Sequence, residues 1–310
     1  MLIITGTLAH DYIMDFAGVF SDHILPDQLH KINISFTAEN FEKRFGGTAG
    51  NVVYNLGLLQ TKHKLLSVVG KDAGEYQKRL NDLGIDLSHL TIDESSYTDS
   101  GFAMTDKKDN QIWSYFYGAS KKIPQLKLES VAKKGDFVLL GPCGKEGTLA
   151  LLSQCKNLGL EYLFDPGFLI ADLTDDELCD GILYASYIVG NDYEVTLLKK
   201  RISNWNNIVA EKVVITTLGE QGSKIDASGK FYIISAAKPT KVSDPTGAGD
   251  AWRAGFLTGL DKSLDLPTSG ELASVVASFA VEEYGAQEHT FTLPELEERY
   301  RQTYKKPLHW

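Results

Sequence analysis

Short apolar runs alternate with amphipathic segments along most of the chain. Six of the runs are rich in branched residues and bounded by glycine or polar positions, which predicts buried strands: Leu2–Gly6, His63–Gly70, Gly135–Gly141, Leu160–Asp165, Ser186–Asn191 and Lys212–Gly219. Amphipathic segments between them predict helices: Thr48–Gln60, Gly74–Leu83, Glu146–Asn157 and Tyr193–Lys200. This alternation predicts an α/β fold with a mostly parallel central sheet covered by helices on both faces.

Two regions interrupt the alternation, at approximately residues 12–45 and 97–117. Segments such as "HKINISFT", "DSGFAMTD" and "NQIWSYFYG" show period-two patterns, which predict antiparallel strands. We expect the two regions to pair as a small β-sheet lid inserted in one domain of residues 1–310. The alternative is that they are two ordinary β excursions.

The C-terminal third predicts a hairpin followed by helices. "GSKIDASGKFYIIS" has its turn at Ser228-Gly229. Helical patterns then cover approximately residues 248–260, 272–284 and 294–304.

Composition narrows the class of protein. The 310 residues carry a formal net charge of −10, which argues against partners such as nucleic acid or an anionic membrane. Cys143, Cys155 and Cys179 are scattered, so a disulfide framework or zinc site is not expected. Without a signal-peptide pattern or a run of about 18 apolar residues, the chain is expected to be cytoplasmic and not in a membrane.

The segment "VSDPTGAGDAWRAGF" carries the clearest chemistry. Gly247, Ala248 and Gly249 are small, so their amides can approach a ligand closely, and a predicted helix starts among them. Unpaired amides at a helix start attract anions. Asp250 follows in the first turn, where it could simply cap the helix. Beside an anion site, however, a carboxylate is suited to accepting the proton of a hydroxyl nucleophile, as phosphoryl transfer requires.

Other nucleotide-binding motifs are missing. The chain has no G-x-x-x-x-G-K-[ST] loop, and no G-x-G-x-x-G follows the first predicted strand. The signatures of protein kinases are not found either. A nicotinamide-dependent oxidoreductase is therefore disfavoured.

Two motifs resemble the signatures of the PfkB, or ribokinase-like, family of carbohydrate and nucleoside kinases. "GGTAGNVVYNLG" begins at Gly46 and "DPTGAGD" ends at Asp250, about 200 residues later. The resemblance implies a ribokinase-like three-layer α/β/α sandwich with a small β-sheet lid. It implies ATP and Mg²⁺ as cofactors and leaves K⁺ open. It makes Asp250 the catalytic base and the amides of Gly247, Ala248 and Gly249 the anion hole.

The same resemblance assigns the two substrate sites. Acceptor hydroxyls would bind Asp11, Gly46, Gly47 and Asn51, whose alternatives are a surface-turn carboxylate, a helix-entry turn and a helix-surface amide. In "NDYE", Asn191 and Glu194 would organise Mg²⁺ through water. In "TTLGEQGS", Thr217, Gly219 and Gly222 would approach ATP, and regions 276–280 and 284–287 would flank adenine.

The acceptor is predicted to be a nucleoside. "GGTAGN" and "GDAWRAGF", which includes Arg253, look more like prokaryotic adenosine and nucleoside kinases than like ribokinases. The second lid region is rich in aromatic residues, which suits a purine. Alternation places Trp113, Tyr115 and Tyr117 on one face, and Phe102 and Phe116 are the candidates for stacking.

The sequence thus predicts ATP-dependent phosphorylation of a nucleoside 5′-hydroxyl, with adenosine as substrate and AMP as product. The alternatives are a sugar kinase of the same family and a non-catalytic nucleoside-binding protein. Family resemblance also suggests a homodimer formed through the lid.

Overall fold

The computed structural model describes residues 1–25, 31, 33–108 and 110–310. Its strands, in chain order, are β1 (Leu2–Thr5), β2 (Ala9–Phe16), β3 (Ala38–Gly46), β4 (His63–Gly70), β5 (Leu90–Asp93), β6 (Asp99–Thr105), β7 (Gln111–Phe116), β8 (Phe137–Leu140), β9 (Glu161–Phe164), β10 (Tyr187–Asn191), β11 (Val213–Thr217), β12 (Ser223–Ala227) and β13 (Lys230–Ile234).

The α-helices of the described residues are α1 (Thr48–Leu58), α2 (Gly74–Asp82), α3 (Lys145–Leu158), α4 (Asp175–Leu183), α5 (Asp192–Arg201), α6 (Trp205–Ile208), α7 (Ala248–Asp261), α8 (Leu266–Ala280) and α9 (Leu293–Tyr304). Within these same residues, no helix has the length and apolar character needed to cross a membrane.

The main sheet has the strand order β13-β12-β11-β10-β9-β8-β1-β4-β5. Pairings from β5 to β11 are parallel, and β12 and β13 join the edge in antiparallel orientation. One apolar core packs this sheet against α1, α7 and α8, and a second packs its other face against α3, α4 and α5. The prediction of a mostly parallel sheet between two helical layers is confirmed.

The predicted lid is also confirmed as a separate sheet with the order β3-β2-β6-β7. Its β2–β6 pairing is parallel and its two outer pairings are antiparallel. The lid starts at Ala9 rather than at residue 12, and "HKINISFT" does not form a strand over Asn33–Thr37, because β3 begins only at Ala38. Residues 26–30, 32 and 109 of the predicted lid regions lie outside the described residues.

Most helix predictions agree with the structure, and the differences have local causes. The second of the three C-terminal helix patterns begins at residue 272, but α8 begins at Leu266 because Asp265 Oδ1 accepts a hydrogen bond from Thr268 N at 2.8 Å. The prediction missed α4, which begins with a capping box between Thr174 and Glu177.

The turn between β11 and β12 contains two glycines with different surroundings. Gly222 has φ +91°, and a Cβ placed there would lie 1.9 Å from the carbonyl oxygen of Ile234. Gly219 has φ +59°, and a Cβ there would meet no atom within 4 Å. Gly222 is therefore fixed by packing, whereas Gly219 is constrained only by its backbone conformation.

We expect Gly222→Ala to lower the free energy of unfolding by more than about 3 kcal/mol, since it combines a backbone collision with an unfavourable conformation. Gly219→Ala is the matched control, with an expected loss of about 1 kcal/mol. Urea denaturation of both variants measures the difference. Equal losses would contradict the packing argument.

Candidate active site

The candidate site lies where several parallel strands end, which is the usual ligand crevice of such sheets. The start of α7 forms its floor. Gly247 precedes the helix with φ 78° and ψ −5°, a left-handed conformation that favours glycine. A Cβ at this position would also lie 2.5 Å from the Cβ of Ala286. The sequence therefore needs glycine here for both conformation and packing.

Backbone amides at this helix start are available to a ligand. Among the described residues, the amides of Gly247, Gly249 and Asp250 donate no hydrogen bond. The amide of Ala248 is different, because it donates to the carbonyl oxygen of Pro245 at 3.2 Å. Of the three amides predicted for the anion hole, those of Gly247 and Gly249 are free, whereas that of Ala248 is hydrogen-bonded within a turn. The amide of Asp250 is also free.

Asp250 lies beside these amides and bonds to α1. Its Oδ2 accepts a hydrogen bond from Asn51 Nδ2 at 2.8 Å. The residue is half-buried. Burial raises the pKa of Asp250 to about 6 against the opposing effects of the Arg253 charge and the Asn51 hydrogen bond, and the charges of Asp165 and Glu194 add to the rise. Asp250 therefore titrates close to neutral pH.

Arg253 forms a buried ion pair with Asp165 near the start of α7. Its Nη2 donates to Asp165 Oδ1 at 2.8 Å and its Nε donates to the other carboxylate oxygen, a two-point contact that fixes the guanidinium. The remaining nitrogen, Nη1, would lie 2.9 Å from a Cβ at Gly249. A fixed positive charge therefore lies directly under the free amides.

The acceptor residues predicted from the sequence meet where the lid joins α1, at Gly46 and Gly47, which we call the lid hinge. A Cβ at Gly46 would lie 2.2 Å from Asp11 Oδ2, so the carboxylate occupies the space that glycine leaves free. Gly47 has φ +83° and packs against the carbonyl oxygen of Thr7. Burial raises the pKa of Asp11 to about 6. Asn51 is buried in the first turns of α1.

Asn191 and Glu194 form the capping box of α5. Glu194 N donates to Asn191 Oδ1 at 2.8 Å, and Asn191 N donates to Glu194 Oε2 at 2.7 Å. The pair therefore has a structural function of its own. Burial raises the pKa of Glu194, the bond from Asn191 opposes that rise, and the charges of Asp165 and Arg253 act in opposite directions.

The predicted nucleotide turn follows the neighbouring strand. Asn191 and Thr217 are paired across β10 and β11, so the two motifs end side by side at the same sheet edge. Gly219 leaves open space in the turn, whereas Gly222 is packed against Ile234. Thr217 thus lies beside Asn191 at the end of the sheet, and Gly222 has a packing role.

Phe102 and Phe116 lie on the other face of the lid from Asp11. Register pairs Tyr12 with Phe102 and Asp11 with Gly101, so Asp11 and Phe102 lie on opposite lid faces. Phe102 stacks on Tyr12, with ring centroids 5.1 Å apart. Phe116 pairs with Ser100 and shares the face of Phe102. The predicted stacking residues and the predicted acceptor residue Asp11 therefore lie on opposite faces of the lid and do not form one common site.

Two other aromatic rings lie on the lid face of Asp11, and a third, Phe168, lies beside them on the main domain. A Cβ at Gly101 would lie 2.7 Å from Asp11 Oδ1, 3.1 Å from Trp113 and 3.5 Å from Tyr115. The rings of Trp113 and Tyr115 are nearly parallel at 5.6 Å, and Tyr115 and Phe168 are parallel at 6.5 Å. Tyr115 is 70% exposed and Phe168 59% exposed, so broad aromatic faces remain uncovered.

Tyr76, Gln287 and Asp165 were not predicted from the sequence, although each contacts a predicted site residue or Arg253. Gln287, in the region predicted to flank adenine, is 0% exposed and donates to Asn51 Oδ1 and to the Tyr76 hydroxyl. Only Asp165 had a usable signal, as an acidic residue directly after a buried strand. Tyr76 and Gln287 occupy ordinary-looking positions in an amphipathic helix and a loop.

The residues present fit a water-mediated Mg²⁺ site. In the described part of the chain, no group of three or more His, Cys, Asp or Glu side chains is arranged to hold a metal directly. Mg²⁺ commonly keeps several waters and uses few carboxylates together with substrate phosphates. Glu194 Oε2 is used in the capping box, and its Oε1 accepts no hydrogen bond from the described residues. That oxygen suits a water of the ion.

Comparison with known proteins decides the family. A model described as pfkB family carbohydrate kinase matches residues 13–292. The chain belongs to the PfkB family. As a PfkB kinase, it transfers a phosphoryl group to a hydroxyl acceptor of the nucleoside or sugar class. The nucleoside kinase of Methanothermobacter thermautotrophicus is 30% identical over 292 residues, which cover 92% of this chain and 91% of the relative.

Solved structures agree with this assignment and confirm the ribokinase-like fold. Burkholderia thailandensis nucleoside kinase in complex with inosine superposes with a TM-score of 0.88 at 30% identity, covering 99% of both chains. The same enzyme in complex with ADP-inosine gives a TM-score of 0.85 at 32% identity, covering 99% of this chain and 97% of that one.

The raised pKa of Asp250 predicts a stability cost at neutral pH. Between pH 4 and about 6 the folded state binds this proton more tightly than the unfolded chain, so stability from this group is lost as pH rises through that window. We expect Asp250→Asn to raise the free energy of unfolding at about pH 8 by up to about 3 kcal/mol, and by nothing near pH 4.

Denaturant unfolding across this pH range measures the effect. Asp261→Asn, at the exposed far end of α7, is the matched control and should show no pH-dependent gain. A gain for Asp250→Asn that is independent of pH would contradict the titration described here.

Proposed function

We propose that this PfkB kinase phosphorylates the 5′-hydroxyl of a nucleoside, with adenosine as the expected substrate and inosine as the next candidate. The observation that carries the proposal is the position of Asp250 beside the unbonded amides of Gly247 and Gly249. Inosine enters because a similar nucleoside kinase was solved with it. The cytoplasmic location expected from the sequence is part of the same proposal.

In this proposal Asp250 is the base. Its pKa of about 6 leaves it largely ionised at neutral pH and still basic enough to accept a proton from a hydroxyl in the transition state. Asn51 holds one carboxylate oxygen, so the other is available to the acceptor. Asp11, across the hinge, would bind the ribose hydroxyls and orient the 5′-oxygen toward Asp250.

The anion hole would stabilise the transferred phosphoryl group. Amides of Gly247, Gly249 and Asp250 are fixed before the substrate arrives, so little reorganisation is needed during the reaction. Arg253 adds a positive charge underneath and is itself held by Asp165. When bound, Mg²⁺ would neutralise phosphate charge. Glu194 and Asn191 would hold its waters, and Thr217 and Gly219 would border the nucleotide.

The purine would lie against the inward aromatic rings of the lid. Trp113 and Tyr115 face Asp11, and Phe168 extends the surface onto the main domain. A base gains roughly 1–3 kcal/mol by stacking on one aromatic ring. A simple sugar offers no such face, which favours a nucleoside over ribose or fructose. Closure of this lid would also exclude water from the phosphoryl group.

A substrate panel tests the activity directly. Purified protein with Mg-ATP should phosphorylate adenosine or inosine more efficiently than cytidine, ribose or fructose, measured by ATP consumption and product chromatography. Asp250→Asn should lower kcat by at least about 100-fold, because the proton acceptor is lost. Preference for a sugar would establish the sugar-kinase alternative, and tight nucleoside binding without turnover would indicate a binding protein. Replacing potassium salts with sodium salts in this assay tests whether K⁺ activates the enzyme.

Aromatic substitutions test the face of the lid that meets the base. Trp113→Ser and Tyr115→Ser should each raise KM for the nucleoside roughly 5- to 100-fold through lost stacking, with KM for ATP unchanged. Phe102→Ser and Phe116→Ser are matched controls from the opposite face and should leave both constants within about twofold. The reverse pattern would restore the original assignment of Phe102 and Phe116.

The outward lid face would serve a homodimer. Tyr12, Phe41, Phe102, Ile112 and Phe116 present apolar surface there, and four of these side chains are strongly exposed. Exposed apolar patches of this kind often mark interfaces. Sedimentation of the Phe102→Ser and Phe116→Ser proteins should show weaker self-association than wild type. A monomeric wild-type protein would contradict this part of the proposal.

A further inference from the structure

The carbonyl oxygen of Gly46 begins a chain of hydrogen bonds that ends at Asp250. The Tyr76 hydroxyl lies 2.7 Å from this oxygen, and Gln287 Nε2 lies 2.5 Å from the same hydroxyl. A backbone carbonyl can only accept a hydrogen bond, and a phenol has a single proton. The Tyr76 proton therefore goes to Gly46, and its oxygen must accept from Gln287.

This requirement fixes the orientation of the Gln287 amide. Its nitrogen has two protons, one for Tyr76 and one for Asn51 Oδ1, which lies 2.9 Å away. If the amide were turned over, Oε1 would face the Tyr76 oxygen with no proton between them. The direction of each bond thus follows from the backbone carbonyl at the lid hinge.

Asn51 continues the donor-to-acceptor direction of these hydrogen bonds to Asp250. Because its Oδ1 accepts from Gln287, its Nδ2 must point away, and this nitrogen donates to Asp250 Oδ2 at 2.8 Å. We propose that Tyr76 and Gln287 are positioning residues that fix the bond direction from Gly46 to Asp250, so that this carboxylate oxygen always accepts. The inference rests on the proposed role of Asp250 as the base.

Burial supports a dedicated role for this chain. Gln287 and Tyr76 are both 0% exposed. Gln287 Oε1 is buried with no hydrogen-bond partner among the described residues, a costly arrangement. The fold tolerates that cost while directing the amide nitrogen toward Tyr76 and Asn51. Burial also raises the pKa of Tyr76 far above its ordinary range, so the phenol keeps the proton that it donates.

Breaking the chain should change the acid–base behaviour of Asp250. The charged groups that face Asp250 are Arg253 on its own helix, Asp165 after β9 and Glu194 on α5. Asp11 lies across Tyr76 on β2. None of these groups is altered in Tyr76→Phe. That variant frees Gln287 and Asn51 to rotate, and a rotated Asn51 offers Oδ1 to a protonated Asp250, which favours the protonated form.

The test is the pH dependence of kcat/KM for Tyr76→Phe and Gln287→Met, using the nucleoside that wild type phosphorylates. In both variants the acid limb should move upward by about one pH unit, and the rate should return to within about threefold of wild type at alkaline pH. A loss of equal size at every pH would reveal a merely structural role and overturn the inference.

Tyr54→Phe is the matched control. It removes a buried hydroxyl that donates to the carbonyl oxygen of His289 at 2.5 Å, on the same helix as Asn51 but outside the chain to Asp250. Its acid limb should stay where wild type has it, and an equal shift in this control would overturn the inference.

A second measurement does not depend on turnover. Nuclear magnetic resonance of carboxyl-labelled aspartate, with Asp250→Asn to assign the signal, should show a higher titration midpoint in Tyr76→Phe than in wild type. An unchanged midpoint would contradict the inference. Retained turnover in Asp250→Asn would instead refute the base, so the two failures can be told apart.

Discussion

The hydrogen bond between Asn51 and Asp250 joins two helix starts that are 199 residues apart in sequence. The start of α1 is reached from the lid through Gly46 and Gly47, and the start of α7 carries the free amides next to Asp250. One short contact therefore holds the start of α1 against the start of α7. If that contact were displaced, Asp250 and Asp11 would no longer meet one common substrate, as the proposed function requires.

This arrangement concentrates negative charge where a phosphate must bind. Asp250, Asp165 and Glu194 influence one another through protein rather than bulk water, and Arg253 partly offsets them. Buried like charges raise the pKa of a carboxyl group and reduce stability at neutral pH. A structure selected only for stability would not keep such a cluster. Its presence at a helix start with unpaired amides is the electrostatic pattern expected of a phosphoryl-transfer site.

The strand–helix rhythm predicted the layered fold. The chemistry of its motif pointed to Asp250, whereas Asn51 and Gly46 were predicted only through the resemblance to the PfkB signatures. The sequence offered no pattern for Tyr76 and Gln287, because their proposed role depends on the contacts of Gln287 with Asn51 and with Tyr76, between segments more than 200 residues apart.

The aromatic residues of the lid show a second limit of what can be predicted from the sequence. Alternation along one strand correctly separated Trp113 and Tyr115 from Phe116, but it could not say which face meets the crevice. That choice depends on the register that pairs Asp11 with Gly101 across β2 and β6. Nor does the sequence show that the Ala248 amide donates to the carbonyl oxygen of Pro245, because that hydrogen bond depends on the geometry of the turn.

The most direct test of the central claim is a crystal structure of the enzyme with a nucleoside and a non-hydrolysable ATP analogue. The account predicts the 5′-oxygen within about 3.2 Å of a carboxylate oxygen of Asp250, with the terminal phosphate on the amides of Gly247 and Gly249. A bound nucleoside whose 5′-oxygen lies away from Asp250, or a phosphate that does not contact these amides, would contradict it.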